Sequence, residues 1–400
     1  MRMKFNKSSQ LLLVSAVSLL AATLMTACAT LTVDFVYVTS AKAAGPNSYG
    51  VIDVFEVNSE SGHMRQIPTS PFPSGGRNPV AEAVSPNDAN LYVINEDDNT
   101  IVQFAIGNDG KLYPQNTVNT PGVFPMAVAV AGSNLYVVDT YQPLPTCSTA
   151  SPCSGSIAVF PIKADDSLNA PVVNPAISAG YWPLTLPAGP THVIVPTAIK
   201  IAGSGPFVYV TAYDATAGGG YVFGFTTNSD GTLSALNNGV PFAAGTHPSA
   251  VAADPSGSYL YVADSAKSVI LGYQINSGLL TPLSGGSYPT GNMPSAIAID
   301  ATGKFAYVAN AQDSNISAYS ISAGNFISVG TFTTGIQPVA IGIDPSKNQF
   351  LYTANFLGST VSGYEIDANS GTLLNSQNSP FTSNALPTAI AAIPHGSTKK

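Results

Sequence analysis

The stretch 293–321, MPSAIAIDATGKFAYVANAQDSNISAYSI, decides the fold, because the rest of the chain repeats its grammar. It reads as a proline, a short apolar run, a turn, an aromatic-Val strand closing on Asn, a second turn, and a strand carrying Tyr near its end. The same order is anchored on Pro79, Pro125, Pro196, Pro248, Pro294, Pro338 and Pro387, and on Tyr37, Tyr92, Tyr136, Tyr209, Tyr261, Tyr307 and Tyr352. The tyrosine follows its proline by 13 residues in four copies, by 11 in one and by 14 in one. Tyr37 has no proline before it and Pro387 no tyrosine after it, so the first and last copies are complementary halves of one unit.

A period of about 40 to 50 residues holding several short strands is the sequence mark of a β-propeller. In Leu260-Tyr261-Val262-Ala263 the side chains alternate between two faces, and both faces are apolar. A sheet buried on both sides suits a blade held between two others. The expected fold is all-β: a seven-bladed β-propeller over 33–394, followed by a short tail, 395–400. The C-terminal strand 387–393 is expected to pair into the N-terminal blade built from 33–57, which closes the ring without an open sheet edge.

Ahead of the repeats, MRMKFNKSSQ carries Arg2, Lys4 and Lys7 without an acid and leads into the apolar run Leu11 to Leu24. This reads as an export signal, too short for a confident membrane span. Leu24-Met25-Thr26-Ala27-Cys28 resembles a bacterial lipobox, with Met25 departing from the usual Leu. The expectation is a signal peptide 1–27, a tether 28–32, and a cell-envelope protein anchored to its membrane only through a lipid on Cys28. The alternative cut at Ala41-Lys42-Ala43 would remove Tyr37 and the strand of the first copy.

Composition agrees with an exported, acidic, globular protein: 9% charged residues and a net charge of −8 in 400 residues. Nucleic-acid binding needs clustered cations, and no basic face exists. Cys147 and Cys153 lie in the loop TCSTASPCSGS and read as a disulfide, a local staple of roughly 2 kcal/mol. The four histidines, His63, His192, His247 and His395, lack metal-ligand spacing, and no cofactor-attachment motif is present, so neither metal nor cofactor is expected. The longest interval between tyrosine anchors, from Tyr136 to Tyr209, holds the Cys loop and the Pro-rich segment 165–190. Its Trp182 is either a stacking platform for a ligand or a pin for its own loop.

The copies LYVINEDDNTIVQFAI, LYVADSAKSVILGYQI, AYVANAQDSNISAYSI and LYTANFLGSTVSGYEI resemble the YVTN-type propeller repeat. Their arrangement resembles the seven-bladed lactonase family, the 6-phosphogluconolactonase-like proteins. The resemblance implies a hydrolase that opens a sugar or related lactone in a pocket at one end of the central channel, using His, Arg and acidic residues. Topology identifies one rim: the residues before the prolines and those after the tyrosine strands share it. On that basis His247 is the expected base, Arg77 the oxyanion stabiliser or carboxylate clamp, and Glu96 and Asp264 the groups that orient the histidine. Glu82 and Lys200 stand in innermost strands where other copies carry Val, Ile or Ala, so they are expected to face the channel as substrate ligands, with His192 and Trp182 further out. The opposing reading makes the recurrent Asn and Asp turn formers and the protein a non-catalytic monomer binding a glycan or protein partner. Convergence of His247, Arg77 and an acid in one pocket is what separates the two.

Overall fold

The computed structural model describes residues 32–41, 49–187, 189, 191–203 and 205–396, apart from the Val33 side chain. The leader and Cys28 lie outside the described residues. Each blade is the antiparallel meander the repeat predicts. Blade 6 runs outward from the channel as Pro294–Ile299, Phe305–Asn310, Asn315–Ser322 and Asn325–Thr333. The innermost strands of blades 2, 3, 4, 5 and 7 are Pro79–Val84, Val123–Ala131, Ile194–Ile201, Pro248–Ala253 and Pro338–Ile343. In blade 1 that place belongs to the C-terminal strand, Pro387–Pro394, which pairs with Thr32–Ser40 so that Tyr37 faces Ala391. Each innermost strand lies against the next, and Pro387–Pro394 touches both Pro338–Ile343 and Pro79–Val84, completing the ring.

The core is seven thin layers, one between each pair of successive blades. Strand alternation distributes side chains between layers: Leu260 and Val262 pack toward blade 4, while Tyr261 and Ala263 pack toward blade 6. The anchor tyrosines are buried and use their hydroxyls as rivets between blades. Tyr209 donates to the Gly278 carbonyl at 2.9 Å, Tyr261 to Gly324 at 2.8 Å and Tyr307 to Gly371 at 3.1 Å. These glycines have φ of 85°, 79° and 74°, a region that costs a Cβ-bearing residue, and a Cβ on Gly324 would lie 2.3 Å from the Tyr259 ring. Among the anchor tyrosines, Tyr352 alone has a hydroxyl without a partner among the described residues, and it is fully buried.

Cys147 and Cys153 form the expected disulfide, with Cα atoms 5.5 Å apart, in the loop between the second and third strands of blade 3. Trp182 is not a platform on a loop. Trp182–Pro183 is a two-residue strand that pairs with Ser156 and Ile157 as the outer edge of blade 3, and its indole is 7% exposed within the layer against blade 4. The reading of 165–190 as loop missed this edge strand because a long excursion separates it from its partner.

Candidate active site

The rim follows one plan. A bulge follows each leading proline, and in five blades the proline pairs with the last residue of the neighbouring strand, as in Pro79 with Asn95, Pro248 with Asp264 and Pro294 with Asn310, whereas Pro125 and Pro196 pair with Asp139 and Ala212, two residues before their strands end. The residue before the proline is thereby lifted toward the channel mouth. In Asn78, Phe124, Met293, Gln337 and Leu386 this position has φ between 50° and 58°, a strained conformation for residues with a Cβ. His247 and Val195 hold the same position without that strain.

The strand-end acids act first on backbone. Asp264, fully buried, accepts the amides of Thr246 at 2.7 Å, His247 at 3.1 Å, Ala266 at 3.1 Å and Lys267 at 3.2 Å. It therefore positions the main chain of His247 rather than its ring, the turn-forming role open to such residues. The His247 imidazole stacks on Tyr213, with centroids 4.1 Å apart and planes inclined 28°, and its Nδ1 lies 3.1 Å from Ser265 Oγ.

Next to Tyr213 stands the group that sequence reasoning left without a role. Asp214 Oδ2 lies 2.5 Å from His192 Nδ1, and the Asp214 side chain is 1% exposed against 25% for the histidine. Burial pushes the Asp214 carboxyl up, but the Ala217 amide, the His192 ring and the Thr216 amide outweigh it and hold the carboxyl below its ordinary range. A buried carboxylate fixing one imidazole nitrogen leaves the other nitrogen to act as a base. The sequence carried a faint signal: His192 precedes its proline by four residues, and Tyr213-Asp214 stands where three other copies carry Asn and two carry Asp. Two histidines therefore flank the dipeptide Tyr213-Asp214 across blades 4 and 5.

The remaining predicted residues are dispersed. Arg77 ends the outer strand Phe72–Arg77 of blade 1, just before blade 2 begins, and is engaged with Asp98, whose Oδ1 accepts Nε at 2.6 Å and whose Oδ2 accepts the Arg77 amide at 2.7 Å. Glu96 Oε2 accepts Asn78 Nδ2 at 2.6 Å, and burial together with Asp97 pushes its carboxyl up. No described contact joins Arg77 or Glu96 to His247, which stands three blades further round. The arginine, the base and its acid thus do not assemble as a single constellation. Glu82 turns between blades 1 and 2, where its Oε2 accepts the Thr39 hydroxyl and burial pushes its carboxyl up to about 8. Lys200 projects from the innermost strand of blade 4. Among the described residues no group of three or more His, Cys, Asp or Glu could hold a metal ion.

One acid of blade 3 is distinctive. Burial pushes the Asp139 carboxyl up to about 7, and among the described residues its Oδ1 has no partner, nor does Oγ of Ser156 directly across the ladder. Two residues before Ser156, Ser154 Oγ donates to the His192 carbonyl at 3.0 Å, so blade 3 braces the loop that carries the dyad. The mouth is otherwise largely apolar. Phe124, Val195, Met293 and Leu386 occupy four of the seven positions before the prolines, and Ile336 and Leu357 are each 60% exposed on the same rim.

A family model described as "Lactonase, 7-bladed beta-propeller" matches residues 35–179 and 280–387. Among solved structures, a candidate 6-phosphogluconolactonase from Bacteroides uniformis superposes with a TM-score of 0.71 at 18% identity, covering 91% of this chain and 100% of its own. A second candidate 6-phosphogluconolactonase, from Bacteroides fragilis, gives 0.68 at 19% identity over 90% and 98% of the two chains. The periplasmic gluconolactonase of Pseudomonas aeruginosa gives 0.70 at 17% identity over 90% and 99%. No curated protein matches this chain in sequence.

Proposed function

Because this chain belongs to the lactonase family of seven-bladed β-propellers, we propose that it hydrolyses a neutral lactone at the rim where blades 4 and 5 meet. The observation that carries this reading is the His192–Asp214 pair with His247 stacked beside it on Tyr213. His192 donates Nδ1–H to Asp214, and its Nε2 takes a proton from water as the oxygen adds to the lactone carbonyl. In the tautomer in which Ser265 donates to Nδ1, His247 presents Nε2–H to the oxyanion. Collapse breaks the ring C–O bond, and the departing alkoxide recovers the proton from His192, giving the hydroxy acid. A phosphorylated substrate is disfavoured, since a phosphate wants several cations and Arg77 is already held by Asp98.

The test is ring opening of glucono-δ-lactone and of an aromatic lactone, followed by acid release. His192→Ala should lower kcat by roughly 10²- to 10⁴-fold, His247→Ala by less, and Arg77→Ala should leave turnover near wild type. Hydrolysis unchanged by His192→Ala would end this assignment. The second reading, a non-catalytic module for a glycan or protein, draws on the engagement of Arg77 by Asp98 away from the histidines; it takes over if no lactone is opened. Export with a lipid anchor on Cys28 belongs to the same proposal. The disulfide supports an oxidising compartment, and a palmitate analogue should label wild type but not Cys28→Ser.

A further inference from the structure

The innermost strands present one side chain per blade at each level of the channel. The level opposite the anchor tyrosines holds Ala391, Ala83, Ala129, Ala252, Ala298 and Gly342, each paired with its tyrosine. In blade 4 the residue paired with Tyr209 is Lys200. Six of seven blades therefore use a methyl group or less here, and the repeat itself has no need of a long side chain.

Lys200 is exposed although it belongs to the innermost layer of the ring and its strand neighbours Ile199 and Ile201 are buried. It has no hydrogen-bonding or ionic partner among the described residues. Glu82, the other charged residue of this layer, is turned onto Thr39, and its protonation owes nothing to Lys200. The surrounding channel wall lowers the Lys200 pKa from its ordinary value, and no anion offsets it. A single uncompensated cation in a channel attracts anions and raises their local concentration.

We propose that the channel is a binding site for a singly charged carboxylate with a small apolar body. The carboxylate pairs with the Lys200 ammonium, and the body lies against the methyl groups of the same level. One cation matches one negative charge, whereas a phosphate requires several donors. Lys200 follows its proline by four residues, about 13 Å along the strand from the rim, so this site is separate from the histidines and stands whether or not the rim opens lactones.

The experiment is calorimetric titration of the purified protein with benzoate, with benzamide as the neutral control of the same shape, and with inorganic phosphate. Benzoate is expected to bind once per chain and to weaken roughly tenfold or more, about 1.4 kcal/mol, in Lys200→Met while persisting in Lys200→Arg. Its affinity should also fall as pH rises through the Lys200 pKa. Equal binding by wild type and Lys200→Met, no binding of benzoate at tens of millimolar, or benzamide binding as well as benzoate each overturn the proposal. Tighter binding of phosphate than of benzoate overturns the ligand class. If Lys200→Met fails to fold, mapped trinitrophenylation of wild-type Lys200 decides: protection by benzoate supports the site, and undiminished labelling refutes it.

Discussion

The repeat supplies its own controls for the energetics of ring assembly. Tyr261 and Tyr352 occupy the same position in blades 5 and 7, and both are fully buried. Tyr261 donates to the Gly324 carbonyl at 2.8 Å, whereas the Tyr352 hydroxyl has no partner. Removing the first hydroxyl deletes a buried hydrogen bond and should cost about 1 to 2 kcal/mol. Removing the second deletes a buried polar atom whose desolvation nothing offsets. Tyr352→Phe should therefore be neutral, within about 0.5 kcal/mol, or stabilising by up to about 1 kcal/mol. For a domain of this size 1 kcal/mol corresponds to roughly 2 °C in Tm, so scanning calorimetry at one neutral pH should place Tyr261→Phe about 2 to 4 °C below wild type and Tyr352→Phe at or above it. Equal losses in the two variants would refute the claim that these hydroxyls act as rivets between blades.

The ring-closing seam should make stability pH-dependent, because burial and then the adjacent Asp344 push the Asp34 carboxyl up to about 8. Between about pH 4 and that value the folded protein keeps a proton the unfolded chain has lost, so this stability is present in acid and declines as pH rises. Asp34→Asn should remove this part of the decline, amounting to a few kcal/mol at most, and parallel stability profiles for variant and wild type would contradict it. Replacing Cys147 and Cys153 by Ser should cost about 2 kcal/mol in denaturant melts while leaving lactone turnover unaltered; loss of the fold would mean the disulfide is more than a local staple.

Much of the architecture was legible because its determinants are short-range. The interval from Pro294 to Tyr307 contains a complete strand-turn-strand, and its near-constant recurrence gave the number of blades, the two-sided burial and the split unit that pairs Tyr37 with Ala391. The same logic gave the membership of the rim, since strand direction alone decides which ends emerge together. The edge strand at Trp182 was not legible: it has two residues and follows a long excursion, so its pairing with Ile157 leaves no periodic trace.

What the chain alone determined, then, was the ring and its layers, because alternation, turns and proline spacing act within one blade. The three-dimensional structure decided which rim side chains meet. Arg77 stands two residues before its proline and His247 one before its own, and one turns to Asp98 while the other turns to Tyr213. His192, which lies off the repeat position, finds Asp214 at 2.5 Å. A repeat assigns height along the channel but not the direction a loop takes around its mouth, and that direction is set by packing between blades distant in sequence.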